Sequence, residues 1–248
     1  MRRRSVLNKL YIVGIGPGNY ENMTVRADQV LKESDIIIGY TVYVDLVKDH
    51  YPDKEFLTTP MRQEVDRANL ALEKAAEGKT VAMVCSGDGG VYGMSGLAEE
   101  LAPNYPGVNV ETIAGVSAVL SGAAVLGAPL MHDFAVISLS DLMTPWETIE
   151  NRLSCAAQSD FVICLYNPSS RKRKDYLQKA CDIILKHASP DTVCGMARNI
   201  GREGESYSIM TLKELREAEA DMFTTVFIGN SQTKVIGDRM VTPRGYKV

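Results

Sequence analysis

The sequence predicts an α/β fold of two domains with mostly parallel sheets and an active-site trough between them. Apolar runs rich in β-branched residues alternate with helical patterns along the chain, which is typical of βαβ units and parallel sheets. Two glycine-rich loops, within YIVGIGPGNY and SGDGGVYG, directly follow such runs. The length of 248 residues is enough for two cores, so we predict domains at 1–130 and 131–248.

The first half of the chain gives a clear signal for each element. A strand over 10–13 leads to a helix over 24–33 and then to a strand over 35–38. A later helix ends before Gly78, and its apolar residues at helical spacing are Val65, Ala68, Leu72 and Ala75. The strand TVAMVCS comes next and runs directly into the second glycine-rich loop.

The longest uncharged stretch, residues 112–131, has the length of a membrane span. Its composition is dominated by Ala, Gly and Ser rather than Leu, Ile and Phe. We therefore predict a buried helix packed through small residues and no membrane insertion. The proline-containing segment APLMHDF follows this helix and marks the predicted domain boundary.

A capping signal defines the first helix of the second half. Thr144, Pro145 and Glu147 supply an N-cap, an N1 proline and an N3 acid, so a helix should run from Pro145 to about Gln158. The apolar residues that would form its core stripe are Trp146, Ile149 and Leu153.

The remaining elements continue the alternation of strands and helices. A strand over 161–166 ends in NPSSRKRK, whose basic residues should begin a helix that continues to about Ala188. Strands over 192–197 and 224–229 then flank a helix that starts with a capping box, Thr211-x-x-Glu214.

The composition argues against several classes of protein. Acidic side chains outnumber basic ones by 31 to 27, which disfavours nucleic acid as the main partner because phosphate neutralisation needs a basic face. The five cysteines contain no C-x-x-C pair and the three histidines are far apart, so we predict no metal site. The opening MRRR resembles the start of a signal peptide, but glycines and a proline interrupt the following apolar run, and we expect a cytoplasmic protein.

The first glycine-rich loop only partly matches a dinucleotide fingerprint. Gly14 and Gly16 fit the pattern G-x-G-x-x-G, but Asn19 stands at the third position. Pro17 lacks the N–H that would help to hold a phosphate, and the strand DIIIGY ends without the acid that would bind a ribose. These differences disfavour a dinucleotide, and the missing Lys-Ser/Thr disfavours a P-loop. The glycines either form only a tight turn or line a different ligand site.

The second glycine-rich loop favours a ligand site. Asp88 lies between Gly87 and Gly89 just past a buried strand, where its carboxylate could bind hydroxyl or ammonium groups of a ligand. The alternative is a turn-forming aspartate whose side chain bonds to the nearby backbone.

Four motifs in order carry a family resemblance that covers residues 10–233. GIGPG, SGDGGVYGM, AGVSA and GMARNIGREGE together resemble the tetrapyrrole methylase family, the class III S-adenosylmethionine methyltransferases of cobalamin and sirohaem biosynthesis. Within that family, SLSDLMTPW, LYNPSSRKRKDYL, MARNIGR and TTVFIGNSQT are most similar to members that methylate carbon 17 of a corrin precursor and contract its ring. The substrate would be cobalt-factor III or precorrin-3B, and the sequence does not separate these two.

The resemblance implies that S-adenosylmethionine binds in the trough, mostly through backbone contacts. The first domain would contribute Pro17, Ser86, Gly87, Asp88, Val91, Ser117 and Ala118. The second domain would contribute Tyr166, Asn167, Ala197 and Asn199.

The implied substrate is fringed with carboxylates, so cationic side chains should bind it. The candidate residues are Arg171, Arg173, Arg198 and Arg202, and Gly16 and Tyr40 would line the macrocycle side. The basic run that includes Arg171 and Arg173 has an alternative reading as a solvated turn, because positive charge at a helix start opposes the macrodipole.

The chemistry implied by the resemblance needs positioning more than a nucleophile. Methyl transfer to a ring carbon is an in-line displacement, whereas ring contraction calls for a general acid or base. The candidates for that acid or base are His132, Asp141, Ser140 and Tyr92. His132 could instead be structural, and Asp141 could simply lie near the helix cap at Thr144.

Two other functions remain open from the sequence. One is a methyltransferase of the same fold that acts on another tetrapyrrole or on a protein side chain. The second of these activities is that of diphthine synthase, although the NPSSRKR and ARNIGRE segments fit that enzyme poorly. The other is a nucleotide-binding regulatory module without turnover. Because members of the family are typically homodimers, the resemblance also implies a homodimer.

Overall fold

The first sheet is parallel throughout, as predicted. The computed structural model describes residues 8–170 and 173–247. The strands of this sheet are β1 (Asn8–Gly14), β2 (Ile36–Tyr40), β3 (Glu55–Thr59), β4 (Val81–Cys85) and β5 (Val108–Ile113). They align in the order β3-β2-β4-β1-β5, and every neighbouring pair is parallel. The carboxyl ends of all five strands therefore meet at one edge of the sheet.

Helices cover both faces of this sheet. They are α1 (Val25–Glu33), α2 (Thr41–Asp45), α3 (Glu64–Ala76) and α4 (Ser95–Leu101). Leu10 of β1 packs with α3 in one core cluster, whereas the next residue, Tyr11, packs with α1 in another, because successive side chains of a strand point to opposite faces. The inner strands β2 and β4 are almost entirely apolar for the same reason.

The predicted helix ends of this region are confirmed. Thr24 precedes α1, and its hydroxyl accepts a hydrogen bond from the N–H of Ala27 at 3.1 Å. Gly78 follows α3 with φ +93°, which is the left-handed conformation that a glycine adopts easily after a helix.

The chain divides into two compact units after Ser117. This division comes earlier than the predicted boundary after residue 130, and it assigns the small-residue helix, α5 (Ala118–Leu126), to the second unit. The apolar face of α5 explains the assignment, because it packs into a core cluster of that unit that includes Val119, Leu126, Cys164 and Phe227.

The second sheet differs from the predicted parallel arrangement. Its strands are β7 (Phe134–Ser138), β8 (Val162–Tyr166), β9 (Val193–Arg198), β10 (Ser206–Thr211) and β11 (Thr224–Ile228), following the short strand β6 (Gly127–Ala128). The order is β10-β9-β11-β8-β7, and only β7 and β8 are parallel. The short connection over 199–205 joins β9 to β10 as an antiparallel pair, since a parallel pair would need a longer crossover.

A small third sheet completes the second unit. Strands β12 (Lys234–Ile236) and β13 (Arg239–Val241) form an antiparallel pair, and β13 runs parallel to β6.

Two helix starts in the second unit differ from the prediction. Helix α6 (Trp146–Gln158) begins one residue late, because Pro145 is the N-cap and Thr144 does not cap it. Helix α7 (Tyr176–Ile184) begins after the basic run, so Arg173 and Lys174 do not start it. Arg173 instead closes a turn with Ser170, which removes the expected conflict with the helix dipole.

Helix α7 ends at Ile184, four residues before the predicted end at Ala188, and β10 was not predicted, whereas two other features of the second unit match the sequence. Helix α8 (Leu212–Arg216) begins with the predicted capping box of Thr211 and Glu214. In α5, a Cβ added to Gly122 would lie 2.9 Å from the ring of Phe227, so the small residue permits the close packing that was predicted. Within the described ranges, no helix is long and apolar enough to cross a membrane.

Candidate active site

The two glycine-rich loops pair with each other at the carboxyl edge of the first sheet. The N–H of Gly87 donates to the carbonyl of Gly16 at 2.7 Å, and the N–H of Gly16 donates to the carbonyl of Gly87 at 3.1 Å. Both residues have left-handed φ values, +75° for Gly16 and +67° for Gly87, and both are buried. The two loops therefore form one backbone structure with tight turns at Gly16 and Gly87, and a role of the first loop in lining a ligand site stays a prediction.

A third backbone segment lies against this pair. A Cβ added to Gly115 would lie 2.1 Å from the carbonyl oxygen of Gly87, and one added to Gly14 would lie 2.7 Å from the N–H nitrogen of Gly115. No side chain fits at these positions, since real Cβ atoms do not approach backbone so closely. The carboxyl ends of β1, β4 and β5 thus converge on a surface of main-chain atoms at Gly14, Gly87 and Gly115, which we call the main-chain floor.

The carboxylate of Asp88 fastens this floor. Its Oδ1 accepts a hydrogen bond from the N–H of Gly90 at 2.8 Å, and its Oδ2 accepts one from the N–H of Gly115 at 2.9 Å. The turn-forming reading of Asp88 is therefore correct. Each carboxylate oxygen can accept a further hydrogen bond, so a role in ligand binding stays a prediction.

Three of the predicted site residues have a left-handed backbone without being glycine. Tyr92 has φ +54°, Asn167 has φ +54° and Asn199 has φ +50°. Asparagine tolerates this conformation, but for tyrosine it is unfavourable by about 1–2 kcal/mol. Tyr92 is also 55% exposed, so its ring is displayed on the surface at a cost in backbone energy, a combination that is common at functional sites.

The other predicted residues of the first unit differ in exposure. Pro17 and Ser117 are buried, Ser86 is half-buried, and Val91 is exposed next to Tyr92. Tyr40 ends β2, and its ring lies 5.2 Å from that of Tyr43 in an edge-on contact. The exposed side chains of the loop over 86–94 thus include the uncharged Val91 and Tyr92.

In the second unit, polar groups gather where β7 and β8 end. The side-chain amide of Asn167 donates to Ser138 Oγ at 2.9 Å, and the N–H of Ser140 donates to the same oxygen at 3.2 Å. The hydroxyl of Tyr166 accepts a hydrogen bond from the N–H of Val119 at 2.8 Å, which fixes the start of α5 beside the end of β8.

Ala197 and Asn199 lie at the end of β9. Ala197 is fully buried and is paired with Tyr207 and Thr225 in the neighbouring strands, so a role for it in ligand binding stays a prediction. Asn199 follows the strand directly, and its N–H donates to the carbonyl of Phe223 at 3.1 Å.

Arg173, Ser140, Asp141 and Tyr176 form one hydrogen-bonded cluster. Arg173 Nη1 donates to Ser140 Oγ at 2.7 Å and to Asp141 Oδ1 at 3.2 Å. The hydroxyl of Tyr176 donates to Asp141 Oδ2 at 2.6 Å. This hydrogen bond and, more weakly, the charge of Arg173 hold the pKa of Asp141 below its usual value, against a smaller opposing effect of burial. Asp141 is therefore an ionised anchor rather than a ready proton donor.

The predicted carboxylate-binding arginines are mostly engaged already. Arg173 forms the ion pair with Asp141, and Arg198 Nη2 lies 2.7 Å from Asp221 Oδ2. The guanidinium of Arg202 stacks on the ring of Phe223, with 5.7 Å between its carbon and the ring centroid. Arg171 lies outside the described residues.

His132 makes a structural contact. Its Nε2–H donates to the carbonyl of Pro243 at 2.9 Å, which ties the segment before β7 to the chain after β13. The residue is exposed and keeps its other ring nitrogen for a further contact.

The thiols do not suit nucleophilic chemistry. Burial raises the pKa of Cys85 to about 11 and that of Cys181 to about 12. It raises the pKa of Cys164 and Cys194 as well, whereas Cys155 is exposed on α6. Among the residues that the structure describes, no cluster of three or more His, Cys, Asp or Glu could hold a metal ion.

Sequence reasoning missed two polar residues of this region, Ser138 and Tyr176. Both lie in segments that carried the family resemblance, SLSDLMTPW and LYNPSSRKRKDYL. Their positions at the last residue of β7 and at the first residue of α7 were the available signal, because strand ends and helix starts at one sheet edge meet in α/β folds.

The fold and the loop arrangement define the class of protein. Residues 9–216 match the family model described as Tetrapyrrole (Corrin/Porphyrin) Methylases, and the chain belongs to this family.

Two curated relatives are similar over nearly the whole chain. The chain is 46% identical to the cobalt-factor III methyltransferase of Priestia megaterium over 96% of its own length, and it spans 45% of that protein. It is 38% identical to the precorrin-3B C(17)-methyltransferase of Sinorhizobium sp over 96% of both proteins. The chain thus spans about half of the first relative and nearly all of the second.

A solved structure agrees with the fold. The crystal structure of the methyltransferase CobJ superposes with a TM-score of 0.88 at 34% identity, covering 95% of this chain and 100% of that one.

Proposed function

We propose that the protein is an S-adenosylmethionine-dependent methyltransferase that methylates carbon 17 of a corrin precursor and contracts its ring in cobalamin biosynthesis. The observation that carries this proposal is the similarity, over 96% of the chain, to relatives named for cobalt-factor III and for carbon 17 of precorrin-3B. Either precursor would be the substrate. The higher identity to the relative named for cobalt-factor III favours the cobalt-loaded form.

The main-chain floor of the first unit fits a donor held by backbone. At Gly14 and Gly115 any Cβ would collide with neighbouring backbone, so these loops can offer only N–H and C=O groups there. We propose that the first unit binds the donor through Pro17, Ser86, Gly87, Asp88, Val91 and Ser117. The second unit would contribute Ala118, Tyr166, Asn167, Ala197 and Asn199.

S-adenosylmethionine, when bound, supplies a methyl group activated by its sulfonium. The chain's own task is then to hold and orient, because methyl transfer of this kind needs no protein nucleophile. The buried, high-pKa thiols agree with that division of roles.

Ring contraction requires a proton to be held or moved. The four candidates are His132, Asp141, Ser140 and Tyr92. The hydrogen bonds of Asp141 and Ser140 with Arg173 support an anchoring role for both. We therefore favour His132 or Tyr92 as the acid or base, each of which is exposed.

We further propose a cytoplasmic homodimer with a tetrapyrrole substrate. The free cysteines suit a reducing compartment. Light scattering coupled to size-exclusion chromatography tests the dimer, and a monomeric mass would contradict it.

Methyl transfer to isolated substrates tests the function. The protein is incubated with S-adenosylmethionine carrying a labelled methyl group and with cobalt-factor III or precorrin-3B in separate reactions. Label in the macrocycle at carbon 17, located by NMR, is the expected result. Absence of label from both macrocycles rejects the proposal.

The same assay addresses the two alternatives from the sequence. Label in an elongation factor instead of a tetrapyrrole would indicate a protein methyltransferase. Calorimetric binding of NAD or ATP, with S-adenosylmethionine inert, would indicate a nucleotide-binding module.

A further inference from the structure

A buried arginine in the first unit has no acidic partner among the described residues. Arg67, on α3, is only 5% exposed. Its Nε donates to Thr59 Oγ1 at 2.8 Å and its Nη2 donates to the carbonyl of Pro60 at 3.0 Å, while Nη1 lies 3.9 Å from the sulfur of Met94. Across residues 8–170 and 173–247, no Asp or Glu forms an ion pair with it. Burying a cation against neutral groups is costly, so this arrangement needs a reason.

Arg67 fixes the loop that follows β3. It binds the last residue of the strand, Thr59, and the first carbonyl of the loop, that of Pro60. Two residues further on, Arg62 has φ +69°, a left-handed conformation that is unfavourable for an arginine. Arg62 is exposed, and Met61 beside it is 42% exposed. The hydrogen bonds of Arg67 thus hold a loop in which Met61 and Arg62 expose one apolar and one cationic side chain.

This loop lies at the functional edge of the first sheet. Strand β3 is parallel to β2, so the loop after β3 lies beside the end of β2 at Tyr40. The guanidinium carbon of Arg67 is 6.0 Å from the centre of the Tyr40 ring. Its contact with Met94 reaches the end of the glycine-rich loop over 86–94. Arg67 therefore connects the loop that carries Arg62 to the loop over 86–94, which is proposed to bind the donor.

The charges favour an anionic ligand at this loop. Arg173 and Arg198 are neutralised by Asp141 and Asp221, whereas Arg62 forms no ion pair with any described acid. The acids of the first turn of α3, Glu64 and Asp66, pair with neither Arg62 nor Arg67. The positive charge of this loop is thus left for a ligand.

We propose that Met61 and Arg62 bind the tetrapyrrole, with Arg62 holding one of its peripheral carboxylates, Met61 contacting the apolar ring and Arg67 acting as a positioning residue. This inference rests on the proposed function. An arginine suits the task because its planar fork can grip a carboxylate with two parallel hydrogen bonds. It also adds a carboxylate site in the first unit to the arginines predicted for the second unit.

Steady-state kinetics of Arg62→Gln test the proposal. The macrocycle is varied at saturating S-adenosylmethionine, and the affinity for S-adenosylhomocysteine is measured by calorimetry. Losing a charge-assisted hydrogen bond should raise the KM for the macrocycle by about tenfold or more. The affinity for S-adenosylhomocysteine and the melting temperature should stay unchanged. The KM of Arg62→Lys should lie between those of the wild type and Arg62→Gln. Arg152→Gln, which changes an exposed arginine of α6, should have the KM of the wild type.

Added salt gives a second readout. It should raise the macrocycle KM of the wild type more than that of R62Q, because an exposed ion pair is screened. If R62Q matches R152Q in both KM and salt dependence, the proposal is overturned while the proposed function stands. If the wild type methylates neither corrin precursor, both fail together.

The positioning role of Arg67 needs its own variant, because Arg67→Met can simply misfold. Arg67→Lys keeps the charge but loses the fork that holds Thr59 and Pro60. We expect a higher KM for the macrocycle, with kcat and the affinity for S-adenosylhomocysteine preserved. Equal losses in all three quantities would mean a merely structural role.

Discussion

Asp88 bonds to Gly115 across the carboxyl edge of the first sheet, with 2.9 Å between Oδ2 and the N–H nitrogen. These residues are far apart in sequence, yet the same aspartate also accepts from Gly90 in its own loop. One side chain therefore holds two loops together. The rigidity of this floor depends on a few residues without redundancy, and each can be tested.

The Gly115→Ala variant should be strongly destabilised. Its Cβ would lie 2.1 Å from the carbonyl oxygen of Gly87, which is backbone and cannot turn away as a side chain could. We expect a loss of roughly 3 kcal/mol or more in the free energy of unfolding, measured by urea denaturation. The matched control is Gly96→Ala on α4, where nothing lies within 4 Å of the added Cβ. That variant should gain roughly 0.5–1 kcal/mol, and equal effects of the two changes would contradict the close approach.

The Asp141→Asn variant should show a stability defect that depends on pH. Because the hydrogen bond from Tyr176 lowers the pKa of Asp141, the folded state favours the ionised form. The resulting stability is complete above the pKa of an unfolded aspartate, about 4, and is lost as the pH falls through the lower folded value. The side chain is 34% exposed, so we expect a defect of only about 1 kcal/mol at pH 7.

Denaturation of D141N and the wild type at several pH values between about 7 and 3 checks this. The difference between them should shrink on acidification. Asp53→Asn, at an exposed position, serves as the control and should give no such trend. A gap that stays constant down to the lowest pH would refute the anchoring role.

Enlarging Gly122 should be rescued by shrinking Phe227. The Cβ of Gly122→Ala would lie 2.9 Å from two ring carbons of Phe227 and 3.0 Å from the Cδ1 of Ile200. The single variant should lose about 1–3 kcal/mol of stability. Phe227→Leu removes the ring, so the double variant should be more stable than the sum of the two single changes by about 1 kcal/mol. Strict additivity in this cycle would show that the helix and the strand do not compete for the same space.

Tyr92 should matter more for binding than for stability. Tyr92→Gly relieves the left-handed backbone but adds freedom to the unfolded chain, and each effect amounts to about 1 kcal/mol. The melting temperature should therefore change little. The affinity for S-adenosylhomocysteine should fall about tenfold, equivalent to about 1.4 kcal/mol. Tyr92→Phe separates the contribution of the ring from that of the hydroxyl. If both variants bind S-adenosylhomocysteine with the affinity of the wild type, Tyr92 has no role in binding it.

The parallel first sheet and its loops could be predicted from sequence because they depend on local patterns. Fully apolar strands such as β4 indicate burial on both faces, and a glycine directly after such a strand indicates a close backbone approach. The capping box at Thr211 is equally local, and it was correct. In contrast, the capping signal at Thr144 was one residue off, because Pro145 itself takes the N-cap position.

The misses concern partners that are distant in sequence. The antiparallel pairing of β9 with β10 and β11 is set by loop length and side-chain packing, which apolar periodicity does not report. Arg173 looked like a free cation because its partner Asp141 lies in another segment. Arg67 escaped notice for the opposite reason, since an arginine within a helical pattern gives no sign that it is buried.

The burial of four of the five cysteines provides a built-in reporter of unfolding. Cys85 lies in the first unit, whereas Cys164, Cys181 and Cys194 lie in the second. A maleimide pulse under mild denaturant, read by peptide mass spectrometry, would label a buried thiol only when its surroundings open. Cys155 would react at once and serve as an internal standard for reagent activity. The order in which the other thiols are modified would reveal which half of the chain opens first, without any engineered probe.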